Sequence, residues 1–270
     1  MPAFICITCG TQYPPSDSPP ARCPICEDAR QYVRAAGQSW TTLEQLRETH
    51  TNRLEPKERG LFGIGTEPSF AIGQRALLVQ TSSGNVLWDC IALLDDRTMR
   101  WIDALGGLSA IAISHPHYYT TMVEWACTFD VPVYLHEADR EWVMRPDPHL
   151  ELWSGETREI IDGVTLLRLG GHFPGGQVLH WRDGAEGRGA LLTGDIIQVV
   201  ADTRWVSFMY SYPNLIPLPA STVRRIADTV QPLRFDRIYG AWWGRNIPTD
   251  AKGAVRRSAE RYAAALKSPD

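Results

Sequence analysis

Four of the six cysteines of this 270-residue chain fall within its first 26 residues. They form two Cys-x-x-Cys pairs, Cys6-Ile7-Thr8-Cys9-Gly10 and Cys23-Pro24-Ile25-Cys26, with thirteen residues between them. Residues 1–36 also hold six prolines and few large aliphatic side chains. A segment with so little apolar surface cannot offset the entropy of ordering its own backbone, so it folds only if something staples it. Two thiolates from each of two tight turns suit tetrahedral ligation of one ion, and Gly10 supplies the backbone freedom that the turn after Cys9 needs. Residues 1–6 lack the basic stretch and apolar run of a secretory signal, so the expected compartment is the cytoplasm. There, this spacing favours a metal over disulfides, with Cys6, Cys9, Cys23 and Cys26 as ligands. Zinc is the expected ion, and iron takes four thiolates equally well.

A short connector over about 35–42 leads into a second expected domain, residues 37–270. Its length allows one large core. The net charge of −4 and the lack of a long basic run argue against nucleic acid as a partner. No apolar run approaches the roughly 20 residues needed to cross a bilayer, so no membrane role is expected. Thr42–Thr49 reads as a short helix. Ala76–Gln80 and Val86–Trp88 read as strands joined by a Ser83-Gly84-Asn85 turn, and Ala110–Ile113 as a strand buried on both faces. Helical spacing follows over Thr120–Phe129, then a strand at Val131–Leu135 and a helix at 137–144. Beyond these come an Asp162-Gly163 hairpin, a strand pair at Gln177–Trp181 and Ala190–Leu192, and a helix at Pro219–Val230. A strand at Phe235–Tyr239 and a helix at Asp250–Leu266 complete the reading. The order is two mixed halves of a layered α/β fold with helices outside.

Three polar motifs stand at the ends of apolar strands. Ile113-Ser114-His115-Pro116-His117-Tyr118-Tyr119-Thr120 offers two imidazoles. Gly170-Gly171-His172-Phe173-Pro174-Gly175-Gly176 sets a third in a loop of unusual backbone geometry. Leu191-Leu192-Thr193-Gly194-Asp195 adds a carboxylate. Ligand sites in α/β sheets lie beyond the carboxyl ends of strands, so these four side chains form one candidate site.

The order of these motifs resembles the metallo-β-lactamase superfamily, which carries H-x-H-x-D-H, then G-H-[ST]-P-G, then [ST]-G-D, then a late histidine. The resemblance spans about residues 60–245. It implies a four-layer αββα sandwich, preceded here by the small module, which is similar to a zinc ribbon or a shortened rubredoxin-like knuckle pair. It also implies that His115, His117 and His172 hold the first metal, that Asp195 is the carboxylate between first and second metals, and that Asp89 supports the metal loop. The chain departs from the motif at Tyr119, where the family has aspartate, and at Thr120, where it has histidine. No histidine lies in Tyr239–Gly244. Three of the four ligands of the second site are therefore missing, and one ion is expected in the cleft.

The expected function is a metal-dependent hydrolase acting on a small-molecule substrate through a single zinc-bound water. In it Asp195 and Tyr119 are the catalytic candidates, Tyr119 as a hydrogen-bond donor to a developing oxyanion. One alternative is a mononuclear iron oxygenase on His115, His172 and Asp195. Another is a non-catalytic metal-binding protein that meets a protein partner through the four-cysteine module. Substrate and oligomeric state are not legible. Among the remaining residues, His136 reads as a cap, His180 as packing, His50 and His149 as exposed, and Cys90 and Cys127 as small buried thiols. Trp242 and Trp243 occupy the region of the missing histidine, one of them as a pocket wall, with Arg245 beside them.

Overall fold

The computed structural model describes residues 1–267. The chain forms two compact units, the first Met1–Ser154 and the second beginning at Gly155.

The first unit opens with β1 (Ala3–Cys6), β2 (Gln12–Pro15), the one-turn helix α1 (Pro24–Glu27) and β3 (Trp40–Thr41). The strands make a small antiparallel sheet in the order β2-β1-β3, with Cys6 opposite Trp40. Its core is sulfur and aromatic. Cys6, Cys9, Tyr13, Cys23, Ile25 and Cys26 cluster together, and Trp40, Ile72, Trp142 and Met144 pack against them. The module thus borrows apolar surface from segments far along the chain, as its own poverty in aliphatic residues requires.

Helix α2 (Leu43–Thr49) starts where the sequence indicates. Thr42 accepts from the Gln45 backbone, and the Gln45 side chain returns the bond to the Thr42 backbone. A seven-stranded sheet follows, ordered β10-β9-β8-β7-β6-β5-β4. β4 (Thr51–Glu58), β5 (Leu61–Glu67), β6 (Arg75–Thr81) and β7 (Gly84–Trp88) are antiparallel neighbours. β8 (Ala110–Ala112), β9 (Val133–His136) and β10 (Leu150–Trp153) then run parallel, with α3 (Asp96–Ala104) and α4 (Met122–Phe129) between strands. β4 and α3 escape a reading by periodicity. β4 is a charged edge strand broken by Pro56, features that protect an edge from further pairing. α3 buries only Thr98 and Ile102 and owes its start to Asp95, which accepts from the Thr98 backbone at 2.7 Å. The helix expected at 137–144 is a 3-10 turn, Glu137–Trp142, kinked at Asp139. As expected, His136 caps it, its Nδ1 accepting from the Ala138 backbone at 3.2 Å.

The second unit holds β11 (Thr157–Ile161), β12 (Val164–Arg168), β13 (Gln177–Trp181), a four-residue turn-like helix α5 (Gly184–Gly187) and β14 (Ala190–Gly194). An excursion follows with four short strands, β15 (Gln198–Val199), β16 (Val206–Ser207), β17 (Met209–Ser211) and β18 (Ile216–Pro217). Then come α6 (Ala220–Val230), β19 (Arg237–Gly240), β20 (Asn246–Ile247) and α7 (Ala251–Ala265). The sheet order is β11-β12-β13-β14-β19-β20. β14 and β19 are parallel, and Gly194 faces Gly240, so both strands end at the same level. Val223, Ile226 and Val230 of α6 and Ala254, Val255 and Ala259 of α7 join Leu191 and Ile238 in one buried cluster. Each valine, leucine or isoleucine among them contributes about 1.5–3 kcal/mol on burial, which fixes the strand ends that carry the functional loops. Among the described residues, no helix is long and apolar enough to cross a membrane.

Candidate metal centres

The four N-terminal cysteines are buried and form no disulfide. Each close sulfur contact joins one member of each pair, Cys6 to Cys26 at 3.6 Å and Cys9 to Cys23 at 3.7 Å. A disulfide needs about 2.05 Å. A tetrahedron with metal–sulfur distances of about 2.3 Å has edges of about 3.8 Å, so the spacing fits one tetrahedral ion. The Gly10 N–H returns to the Cys6 carbonyl at 2.8 Å, closing the first knuckle, and Gly10 takes φ +83° there. Tyr13 donates its hydroxyl to Cys23 Sγ at 3.2 Å, while Thr11 Oγ1 lies 3.3 Å from Cys9 Sγ. The Gln38 carboxamide lies 3.6 Å from Cys6 Sγ. Burial, reinforced by the three neighbouring sulfurs, pushes the Cys9 thiol up, so a charged cluster here calls for a counter-ion.

This module grips the loop that carries the first histidines. The Gln12 backbone N–H donates to the Thr120 carbonyl at 3.0 Å. A Cβ on Gly10 would come within 3.2 Å of Thr120 Cγ2 and 3.3 Å of Ala71 Cβ, a tight fit that adds to the strain a side chain would meet at φ +83°. Gln12 also donates to Glu124 at 3.1 Å, and Arg145 joins both side chains. Thr120 has φ +36°, a left-handed conformation that costs a β-branched residue about 1–3 kcal/mol. On the other side Thr121 Oγ1 donates to the Ala92 carbonyl at 2.9 Å and Trp125 Nε1 to the Ile91 carbonyl at 3.0 Å.

His115 and His117 leave the end of β8. Pro116 starts a 3-10 turn over Pro116–Tyr118 and sets the two imidazoles near one another, with ring centroids 5.1 Å apart. Both are buried, His115 to 1 % exposure and His117 to 3 %. Ser114 Oγ lies 2.8 Å from His115 Nδ1, and the Tyr118 ring lies 4.4 Å from that of His115. Tyr119 is buried; desolvation, and secondarily the charge of Asp139, push its phenol well above the ordinary range, so it remains a hydrogen-bond donor.

Asp89 Oδ1 accepts the Ser114 backbone N–H at 2.7 Å, tying the end of β7 to the histidine loop. Burial raises its pKa from 3.8 to about 7, against the opposing pull of the Ser114 hydrogen bonds. A carboxyl whose pKa is higher folded than unfolded adds stability below the unfolded value and loses it as pH rises through the folded value. Asp89→Asn keeps the acceptor, and asparagine tolerates the φ of +61°. Its thermal midpoint is therefore expected to exceed that of the parent above pH 7, the two converging toward pH 4; parallel pH profiles would show that Asp89 does not titrate in this range.

In the second unit, Gly170 and Gly171 both take positive φ. Leu169 and Gly170 both donate to the Gly176 carbonyl at 2.8 Å, closing the loop around His172. A side chain at Gly171 would meet Ile226 and Leu218 at 3.0 Å. His172 is 1 % exposed, and its Nδ1 donates to the Tyr210 carbonyl at 2.8 Å. A carbonyl only accepts, so the neutral ring carries its proton on Nδ1 and its lone pair on Nε2, the arrangement of a ligating histidine oriented by its backbone partner. Asp195 follows Gly194, which turns the chain at φ +52°. The Thr193 hydroxyl donates to the Ile197 carbonyl at 2.7 Å, and Tyr212 donates to the Asp195 carbonyl at 2.9 Å. After β19, at the same level, the chain continues with Ala241, Trp242 and Trp243. Trp242, Trp243 and Arg245 line a depression of about 490 Å³ with Gln198–Ala201.

His115 and His117 in the first unit, and His172 and Asp195 in the second, are each buried at or just beyond a strand end. Three imidazoles and a carboxylate fit a borderline divalent cation such as zinc, and fit iron too. Cys90 is a buried thiol, as expected, but Cys127 is exposed, contrary to expectation. It lies near the end of α4, outside the apolar stripe formed by Met122, Val123, Trp125 and Ala126.

The fold is that of the metallo-β-lactamases, with a four-cysteine module before it. Three solved structures show it. VMB-1 superposes with a TM-score of 0.61 at 14 % identity, over 80 % of this chain and 98 % of that one. FIM-1 from Pseudomonas aeruginosa, in its mono-zinc form, gives 0.58 at 13 % identity, over 78 % and 96 %. TTHA1623, in a di-iron-bound form, gives 0.52 at 22 % identity, over 73 % and 98 %. No protein-family model matches the chain. The chain belongs to the family of the uncharacterized protein YmaE of Bacillus subtilis (strain 168), with which it shares 56 % identity over 270 residues, 99 % of this chain and 98 % of that protein.

Proposed function

We propose that the protein is a hydrolase that works with one divalent metal ion in its cleft. His115, His117 and His172 hold the ion, and Asp195 either completes the set or orients the attacking water. The observation that carries this reading is the burial of His115, His117, His172 and Asp195, the residues that match the family's first-site motif, in a chain that has Tyr119 and Thr120 where that motif supplies second-site ligands. When bound, a zinc ion with an open position supplies a nucleophile at neutral pH by lowering the pKa of a water to about 7. The chain's own part is to hold the imidazoles in register and to present the Tyr119 hydroxyl. That hydroxyl stays protonated through burial and donates to negative charge developing on a substrate carbonyl.

Tyr119→Phe is expected to keep the full metal content and to lower turnover by about 10²–10³-fold, the usual loss for one oxyanion donor. Unchanged turnover would remove Tyr119 from the reaction. The reading as a whole is tested by metal analysis of the desalted protein, together with a panel of ester, thioester, lactone and lactam substrates. Two ions per chain are expected, one in each centre, with metal-dependent hydrolysis of a panel member. Two ions in the cleft would overturn the single-ion reading. Iron in the cleft would support the oxygenase alternative, and no cleft ion would support a non-catalytic role.

A further inference from the structure

Ten residues beyond His117, Cys127 on α4 meets the loop before β10. Its Sγ lies 3.9 Å from His149 Nδ1 and 4.0 Å from Asp147 Oδ2. We propose that Cys127, His149 and Asp147 form a surface site for one thiophilic divalent cation of the zinc class. Their ligand atoms all lie within 4.8 Å of one another. A thiolate, an imidazole and a carboxylate match such an ion, and solvent water completes the shell.

The geometry of His149 carries the inference. Its Nε2 lies 3.3 Å from Asp130 Oδ1, and its Nδ1 lies 2.7 Å from Asp147 Oδ1. Asp147 and Asp130, one on each ring nitrogen, raise the pKa of His149, so a proton bridges Nδ1 and Asp147 Oδ1 at 2.7 Å. A metal ion would displace that proton and part the two ligand atoms to about 3.3 Å. Asp130 then stands behind the imidazole as the outer carboxylate that orients ligating histidines in metal proteins. The backbone is already set. Pro146 and Pro148 flank Asp147, the His149 N–H returns to Asp147 Oδ1 at 3.0 Å, and the His149 carbonyl accepts from Val133 at 2.8 Å.

The surrounding field also suits a cation. Cys127 sits in the last turn of α4, at the negative end of the helix dipole. The charged groups around the thiol are Asp147, Glu124 and Asp130, opposed by Arg145, which is already engaged by Glu124. An entering ion displaces the thiol proton and the proton shared by His149 and Asp147; both go to solvent, so uptake weakens as pH falls.

The test is titration of the desalted protein, with its resident ions in place, with Co²⁺ and then Zn²⁺ at neutral pH. Wild type is expected to take up one further ion per chain, with the near-ultraviolet charge-transfer band of cobalt–thiolate ligation and a shift of the His149 imidazole resonances. Cys127→Ala and His149→Ala should lose both the added ion and the band while keeping the resident ions. Asp130→Asn should weaken uptake about 10–100-fold. Equal uptake by wild type and Cys127→Ala would overturn the site, as would His149 resonances that answer to pH but not to zinc. Added uptake lost in Asp195→Asn but kept in Cys127→Ala would place the extra ion in the cleft and would also overturn it.

Discussion

Cys23→Ser is expected to remove one metal ion per chain and to unfold much of the N-terminal region. The expectation follows from what else could hold that region together. Its buried cluster consists of the four cysteines, Tyr13 and Ile25, with help from Trp40, Ile72, Trp142 and Met144. A structural zinc contributes about 10–16 kcal/mol in small zinc-binding peptides at neutral pH, while a whole domain is stable by about 5–15 kcal/mol. Losing the ion therefore exceeds any reserve of the module. The damage should spread, because the backbone bond from Gln12 to Thr120 and the close approach of Gly10 restrain the loop that carries His115 and His117. Lower metal occupancy in the cleft is expected to accompany the loss. Cys90→Ser is the matched control, since it alters a buried thiol outside both centres. Metal content and thermal melting report the result, and a Cys23→Ser protein that retained two ions and the parent melt would rule out a four-thiolate centre.

His172→Ala should leave the four-cysteine ion in place and empty the cleft, reducing any metal-dependent hydrolysis to background. The side chain is 1 % exposed and is oriented by the Tyr210 carbonyl at 2.8 Å. Its removal deletes one of three imidazoles and the hydrogen bond to that carbonyl, a net cost of about 0.5–1.5 kcal/mol. The loop should otherwise persist, because its bonds to the Gly176 carbonyl are backbone-only. His180→Ala serves as the comparison. That ring lies on β13, near 2.9 Å from the Arg234 carbonyl, and stands outside both metal groups. Equal metal content in the two variants would show that His172 does not ligate.

Much of the candidate site was legible because metal chemistry is written in side-chain identity and short spacing. Cys-x-x-Cys, His115-Pro116-His117 and the Gly/Pro-rich loop at His172 each encode a local turn that points donors one way. The departures at Tyr119 and Thr120 were legible for the same reason. The strands with apolar runs, such as β8 and β14, were equally plain. β4 and α3 were not, because one is a charged edge and the other buries only two side chains. The exposure of Cys127 was also hidden, since a single thiol carries no signal of which helix face meets the sheet.

By itself, the amino-acid sequence determined which donors exist, how they are grouped into strand-end loops, and that Tyr119 and Thr120 stand where the motif it resembles has aspartate and histidine. The tertiary structure decided how the loop after His117 is restrained. Thr120 is held in its left-handed conformation next to the knuckle of the four-cysteine module, through Gln12 and Gly10. It also decided that Asp89 lies under Ser114 and that Cys127, Asp147 and His149 meet. Those contacts join residues about 20 to 110 positions apart. Strand order and register bring such residues together, and both depend on the packing of the whole sheet rather than on any local run of the chain.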